Sequence, residues 1–582
     1  MPATVAIAAQ APAGDAGAAT ACASGRETMI PMSSLPSQLS ERVQSVAGID
    51  PEMRPATKPQ FGHFQSNVAL RLAKQQGKPP RQVAQEIVDK LDVGDLCEPV
   101  EIAGPGFLNF RLRADVLAGA VTDQLQDPRA GITPTELPQT VVIDYSAPNA
   151  AKQMHVGHLR STIIGDCFNR VLRAKGHTVI AQNHIGDWGR QFGMLIEQAL
   201  DEKLDLDSLD LAGAEELYKR ANAHLKSDDA FADRARERVV KLQNGDADTR
   251  AMWRKMIDLS KAGFNKTYAR MGVLLTDADY AGESMYNEML PQVCDDLEQR
   301  GIAKLDQGAL VVFVKGFDAP AILRNSQGGY GYDVTDVAAV RYRVDDLEAN
   351  RLIYVVGSEQ TYHFNLIFAV CREAGYLPAW VSAQHVGYGM VLGADGKKFS
   401  TREGTAVHLN DLLDEAEEHA APEIALAAIK YADLSNSLQK DYVFDPVRMT
   451  QTTGDTSPAD VAPIEEVQYA HARVSQILRK ADAEGLSGDT ISVLDEVPEQ
   501  ELALWLTRFG DAVDEVADEL TPHKLCTYLY ELATKYSTFY ENCPVLKSDG
   551  DVRTSRLALC ATTKRVLATG LDLLGIAAPE RM

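Results

Sequence analysis

The chain has 582 residues, too many for one hydrophobic core, so it is expected to divide into three or four domains. Its 58 Lys and Arg face 82 Asp and Glu; the net charge of -24 argues against indiscriminate nucleic-acid binding, DNA included, but leaves room for a shaped RNA met by local basic patches. No uncharged apolar run approaches the ~18 residues of a membrane span, so no membrane partner is expected. The Ala-rich start lacks the basic and leucine-type segments of a signal peptide. Eight cysteines lie scattered without a CxxC pair, which indicates neither a zinc site nor a disulfide framework, and the expected compartment is a reducing cytoplasm.

Residues 1–30 are rich in Ala, Gly, Ser and Thr and cannot bury enough surface to order themselves; they read as a tail, or as a start placed too early, with Met29 the alternative start. Residues 31–115 mix helical periodicity at Leu35 to Val46 and Val83 to Leu91 with the apolar, Gly-punctuated segment VEIAGPGFLNFRL, which implies a small α+β domain. From 138 to 445 strand alternates with helix. Strands are expected at Val141 to Tyr145, Thr178 to Ala181, Ala309 to Val314, Leu352 to Val356 and His385 to Tyr388, which implies a parallel, doubly wound sheet of the α/β class. A helical stretch, with Met252, Met256 and Leu259 on one stripe, interrupts that alternation and reads as an insertion spanning about 201–300. No GxGxxG follows the first strand, which disfavours a dinucleotide oxidoreductase. Thr450 to Pro463 is polar and turn-rich, a linker, and from 460 to 582 apolar stripes such as Val467, Ala470, Val474 and Ile477 predict an α-helical bundle.

Chemistry is expected where the first parallel strand breaks at Pro148 and Asn149 and a long amphipathic helix begins. Val156, Leu159, Ile163, Cys167 and Val171 set its apolar stripe, which puts His155, Gly157 and His158 in the first turn. A first turn carries free N–H groups and the positive end of the helix dipole, and Gly157 would let a flat ring or a phosphate approach. Two histidines there can donate to phosphate oxygens whose charge grows during a displacement.

The run SAPNAAKQMHVGHLRST resembles the HIGH motif of class I aminoacyl-tRNA synthetases, in the extended form found in arginyl-tRNA synthetases. GMVLGADGKKFSTREGT, at Gly389 to Thr405, is similar to the KMSKS loop of that class. The N-terminal segments FGHFQSNVALRLAK and VEIAGPGFLNFRL resemble that family's additional, tRNA-contacting domain, and EVQYAHARVSQILRKA through LLGIAAPERM resembles its DALR anticodon-binding domain. The resemblance implies a Rossmann-type catalytic domain that joins L-arginine to tRNA(Arg) through an arginyl-adenylate, with ATP as substrate and Mg2+ beside it. It also implies that tRNA must be bound before arginine is activated, and that the protein is a monomer. By the same resemblance His155, His158, Lys152 and Lys398 are catalytic; Gly157, Met390, Val391, Lys397, Lys398, Ser400 and Arg402 join the histidines at ATP. Tyr332 and Asp336, four apart and so on one helical face, hold the guanidinium, Gln360 completes that pocket, and Asn149, Asp144 and Ser146 lie at the amino and carboxylate end. Asp187, Trp188 and Gln191, in NHIGDWGRQFG, fall near the pocket. Thr401 stands where KMSKS has its second lysine, and Lys152, just ahead of the first histidine, is expected to supply the missing charge. Aromatic side chains can stack unpaired bases, and Tyr528, Tyr536, Tyr540 and Arg581 are the expected tRNA contacts. The alternatives left open are a catalytically silent tRNA-binding paralogue, a class I relative for another amino acid, and a small-molecule nucleotidyltransferase.

Overall fold

Turn residues and apolar spacing divide the chain into successive groups of elements, which a computed structural model describes for residues 34–56, 58–393, 396–397, 407–445 and 463–582. The first group opens with helix α1 (Leu35–Ala47), whose N-terminus is capped by the Ser34 hydroxyl and whose end turns on Gly48 at φ 75°. Strands β1 (Arg54–Pro55) and β2 (Phe64–Ser66), helices α2 (Val68–Gln76) and α3 (Pro80–Val88), and strands β3 (Glu101–Ala103) and β4 (Phe107–Phe110) follow. The strands form an antiparallel sheet in the order β1-β2-β4-β3 against the helices. Helix α4 (Ala114–Gln126) leads from this α+β unit to the central sheet.

That sheet is parallel. Strands β5 (Thr140–Asp144) and β6 (Thr178–Gln182) flank helix α5 (Val156–Ala174), and two later strands, β10 (Arg351–Gly357) and β11 (Ser382–Tyr388), complete the order β11-β10-β5-β6. Between them come helix α6 (Arg190–Asp201), the inserted helices α7 (Leu211–Ser227), α8 (Asp229–Gln243) and α9 (Ala247–Met271), helix α10 (Leu290–Gln299), strands β7 (Lys304–Asp306), β8 (Ala309–Val312) and β9 (Ala321–Arg324), and helix α11 (Tyr332–Asp345). Strand β10 (Arg351–Gly357) then pairs with β5 on one side and, beyond helix α12 (Thr361–Ala374), with β11 (Ser382–Tyr388) on the other. Side chains of successive strand residues point to opposite faces. Val141 and Ile143 accordingly enter the core shared with α5, whereas Val142 enters a second core with α10, α11 and α12.

The segment expected as a parallel strand at Ala309 to Val314 does not join this sheet. It forms β8 of a separate antiparallel sheet in the order β7-β8-β9. Gln307 and Gly308, at φ 48° and 83°, make a two-residue turn, and a connection that short can only join antiparallel neighbours.

After β11, the short strand β12 (Val391–Leu392) pairs with β13 (Tyr442–Val443) across helices α13 (Leu409–Glu417) and α14 (Pro422–Leu434). The linker expected at Thr450 to Pro463 lies almost wholly outside the described residues; Pro463 itself begins α15 (Pro463–Ala483). Helices α16 (Val497–Leu506), α17 (Phe509–Glu519), α18 (Pro522–Asn542) and α19 (Gly550–Leu573) complete a bundle. Its apolar stripes are continuous with the core under the α5 face of the parallel sheet. The cysteines among the described residues are reduced and buried.

Candidate functional site

The carboxyl ends of the parallel strands carry the expected residues, as open α/β sheets place their ligands. Past β5 the backbone is unusually contorted: Ser146, Ala147 and Ala151 have φ of 74°, 50° and 61°, a conformation non-glycine residues keep only when their surroundings impose it. Here the Ser146 N–H donates to the Ser161 hydroxyl, Ala147 N–H to Asn183, and Ala151 N–H to the Ser260 hydroxyl of α9. Asn149, in the middle of the turn, is exposed, with Ala150 N–H bonded to the Gly186 carbonyl just beyond.

At the start of α5 the two histidines cap each other. His155 Nδ1 accepts from Gly157 N–H at 3.0 Å, and His158 Nδ1 accepts from His155 N–H at 3.0 Å. An imidazole that accepts at Nδ1 carries its proton at Nε2, so both rings are neutral donors through Nε2. Their centroids are 3.9 Å apart. Crowding by protein, and then His155 next to it, push the His158 pKa down to about 3, although part of the ring still meets solvent. This corrects the reading of the helix start as a set of free N–H groups: Val156 donates to the Val407 carbonyl, Gly157 to His155, and His158 to the His155 carbonyl. Gly157 is exposed, and its lack of a side chain serves the cap itself, since a Cβ would fall 2.8 Å from the His155 ring.

The segment after β11 is fastened to the same helix. Arg160, buried on α5, donates Nη1 to the carbonyls of Gly389 (2.9 Å) and Lys440 (3.0 Å) and pairs through Nε with buried Asp433 of α14 at 3.1 Å. Met390 is exposed, its N–H bonded to Asp441, and Val391 is buried in β12. Lys397 is described and exposed; Lys398, Ser400, Thr401 and Arg402 lie outside the described residues. Lys152 is half-buried, its ammonium 4.1 Å from the centre of the Tyr218 ring of α7.

On the other side of β10, Tyr332 and Asp336 share a face of α11. Tyr332 is 70% exposed, its ring 5.2 Å from that of His363 on α12, and Asp336 meets His363 Nε2 at 2.6 Å. Burial works to lower the His363 pKa, but the hydrogen bond and charge of Asp336, with Asp333 behind, raise it above its ordinary value. Gln360 is exposed at the start of the same helix. The sequence reading missed Glu283, whose carboxyl is pushed up to about 7 by burial and then by the charges of Asp187 and Asp336. Its neighbours are remote in the chain, so no local pattern marks it. Asp187 itself is held by the N–H and hydroxyl of Ser284, Trp188 packs edge-on against Trp253, and Gln191 donates to the Gly186 carbonyl.

Two expected arginine contacts are already engaged inside the protein. Asp144 is buried and pairs with Arg343 of α11 at 2.7 Å, with Gln182 as that guanidinium's second partner. The buried Ser146 hydroxyl bonds Tyr268 and accepts from Thr162. Both support the turn from beneath. In the bundle, Tyr528 and Tyr536 are corrected as well: Tyr536 is fully buried, and Tyr528 is 6% exposed and donates to the Trp505 carbonyl, so neither ring can offer a face to a base. Tyr540 and Arg581 are exposed. Tyr469 of α15 is exposed too, and Arg473 lies over both rings, 4.4 Å from Tyr469 and 4.8 Å from Tyr540. That flat, cationic surface went unnoticed in the sequence, where only the four-residue spacing of Tyr469 and Arg473 hints at it.

The model of the family described as "tRNA synthetases class I (R), catalytic domain" matches residues 121–425. That of the "DALR anticodon binding domain" matches 467–582, and that of the "Arginyl tRNA synthetase N terminal domain" matches 33–112. The chain is 64% identical to the arginine–tRNA ligase of Cutibacterium acnes, over 95% of this chain and 100% of that one. It is 47% identical to that of Thermobifida fusca, over 94% and 99%. Among solved structures it is similar to the Plasmodium falciparum arginyl-tRNA synthetase, with TM-score 0.80 at 29% identity over 95% of this chain and 100% of that one. It is also similar to the Thermus thermophilus enzyme, with TM-score 0.76 at 27% identity over 94% and 100%. The chain belongs to the arginyl-tRNA synthetase family.

Proposed function

We propose that this chain attaches L-arginine to tRNA(Arg) in two displacements. The arginine carboxylate attacks the α-phosphate of ATP and pyrophosphate leaves; a ribose hydroxyl of the tRNA 3'-terminal adenosine then attacks the adenylate carbonyl and AMP leaves. Neither step needs a protein nucleophile, so the chain's work is positioning and the stabilisation of developing charge. The observation that carries the reading is Asp336 on one helical face with the exposed ring of Tyr332, with its charge and that of Asp187 acting on the Glu283 carboxyl, an acidic pocket that suits a planar guanidinium. Gln360 and Asn149 complete the arginine site. His155 and His158 donate Nε2–H to the phosphates, with Gly157, Met390, Val391 and Lys397 on the nucleotide side, and Lys398, Ser400 and Arg402 are assigned there from the family pattern. Lys152 brings the charge that Thr401 does not supply. Mg2+ would accompany the ATP, where it would neutralise phosphate charge. Tyr540, Tyr469 and Arg473 offer a surface for unpaired tRNA bases, and exposed Arg581 is assigned to tRNA from the family pattern. We place the enzyme, as a monomer, in the cytoplasm, where its substrates meet.

The test is ATP–pyrophosphate exchange with each of the twenty amino acids, with and without total tRNA. Exchange with arginine alone, in the presence of tRNA, is the expected result. Folded protein that exchanges with no amino acid would favour the silent paralogue.

A further inference from the structure

The insertion reaches into the nucleotide side of the site through one helix. On α7, the Glu215 carboxylate accepts from the Gln153 N–H at 3.1 Å and, through its other oxygen, meets His408 Nε2 at 3.1 Å. His408 in turn pairs with His155 in an antiparallel bridge whose flanks are Val156 N–H to Val407 O (2.9 Å) and Leu409 N–H to Met154 O (2.8 Å). Glu215 therefore ties together the segment entering α5, the segment entering α13, and the insertion. One turn further along α7, Tyr218 lies under Lys152. That contact has a particular consequence. A carboxylate beside Lys152 would hold the ammonium but cancel its charge; an aromatic face holds it and leaves the charge whole. Among the described residues Lys152 makes no ion pair, and the nearby carboxylate of Glu215 is taken up by Gln153, His408 and Lys219.

We propose that Glu215 and Tyr218 are positioning residues of adenylate formation: Tyr218 aims the un-neutralised ammonium of Lys152, and Glu215 fixes the main chain of Gln153 ahead of the two histidines. The Tyr218 half rests on the role given to Lys152 above. The experiment compares Tyr218→Leu, Tyr218→Phe, Glu215→Ala, Glu215→Gln, Lys152→Met and the double variant Tyr218→Leu/Lys152→Met in the full-length protein, by arginine-dependent ATP–pyrophosphate exchange with tRNA present. Thermal melts accompany each. Tyr218→Leu and Glu215→Ala should lower kcat about tenfold, the scale of a misplaced catalytic group, with the KM for arginine unchanged. Tyr218→Phe, which keeps the ring, and Glu215→Gln, which keeps an acceptor, should stay within about twofold of the parent. The double variant should be no slower than Lys152→Met alone.

A Tyr218→Leu enzyme at the parental rate overturns the Tyr218 assignment, as does a Phe variant as slow as Leu or additive loss in the double variant. Glu215→Ala at the parental rate overturns the other half. Lys152→Met at the parental rate would instead sink the role of Lys152, and with it that of Tyr218, while leaving arginine exchange itself intact. If Tyr218→Leu melts early, Tyr218→Met, which retains apolar bulk without a ring, makes the same comparison.

Discussion

His155 and His158 spend their Nδ1 atoms on backbone N–H groups of the helix start, those of Gly157 and His155, so protonation of either would break a cap at that start. The depressed pKa of His158 keeps that ring neutral across the working range, and acid loss of activity is expected from the arginine side of the site instead. There Glu283 titrates at about 7 and His363 above its ordinary value. A guanidinium binds the charged form of Glu283, which exists above that pH, and competes with protonated His363 for Asp336, which is relieved as pH rises. Both effects have one sign: the KM for arginine should climb as pH falls below about 7, approaching about tenfold per pH unit, and Glu283→Gln should flatten that climb. Steady-state KM measured from about pH 8 to about pH 6 decides it, and a parental KM independent of pH would refute the pocket assigned here. The two histidines, Tyr332 and Asp336 were legible because each pair is local, one helical turn apart. Glu283 was not, because its effect depends on Asp336, 53 positions away, being folded beside it; Asp144 and Ser146 had the right chemistry at the right place, but Arg343 and Tyr268, brought in by the tertiary fold, had already taken it.

At the scale of elements, the two halves of the nucleotide site come from segments more than 200 residues apart, and helix α5 is what brings them to one place. Its buried Arg160 holds the Gly389 carbonyl and Asp433 at once. Removing the guanidinium would strand a buried carboxylate, so Arg160→Met should cost ~3–5 kcal/mol of stability. It should also lower adenylation, since the chain at Met390 loses its anchor; denaturant unfolding beside exchange kinetics measures both, and a variant of parental stability would show that the pair is not needed. Four of the five expected parallel strands were legible from apolar runs bounded by turns. The fifth carried the same apolar signal, and only the shortness of the two-residue turn before it separated it from them.

Among the described residues the largest core passes from the N-terminal α+β unit, under the α5 face of the parallel sheet, into the C-terminal bundle. The bundle's helices were legible from their stripes, but a stripe does not tell an aromatic that packs, such as Tyr536, from one that faces outward at its border, such as Tyr469. Tyr469→Ala and Tyr540→Ala should each raise the KM for tRNA by about tenfold with kcat preserved, the scale of one lost base stack. Tyr536→Ala should leave that KM alone and lower the melting temperature, as truncating a buried aromatic by ~3–5 kcal/mol does. Equal KM values in all three variants would remove this face of the bundle from the tRNA interface.

The buried cysteines give that shared core a chemical voice. Burial pushes the thiols of Cys97, Cys167 and Cys560 up to about 12, and raises that of Cys526, between the sheet-side helices and the bundle, well above its ordinary value. Thiolate is the reactive form, so in the folded protein these sulfurs are both shielded from alkylating reagents and poor nucleophiles toward them. Labelling at each one is thus paced by the opening of the surrounding structure, and the chain carries, from its N-terminal unit to its last long helix, a set of built-in clocks for its own local unfolding.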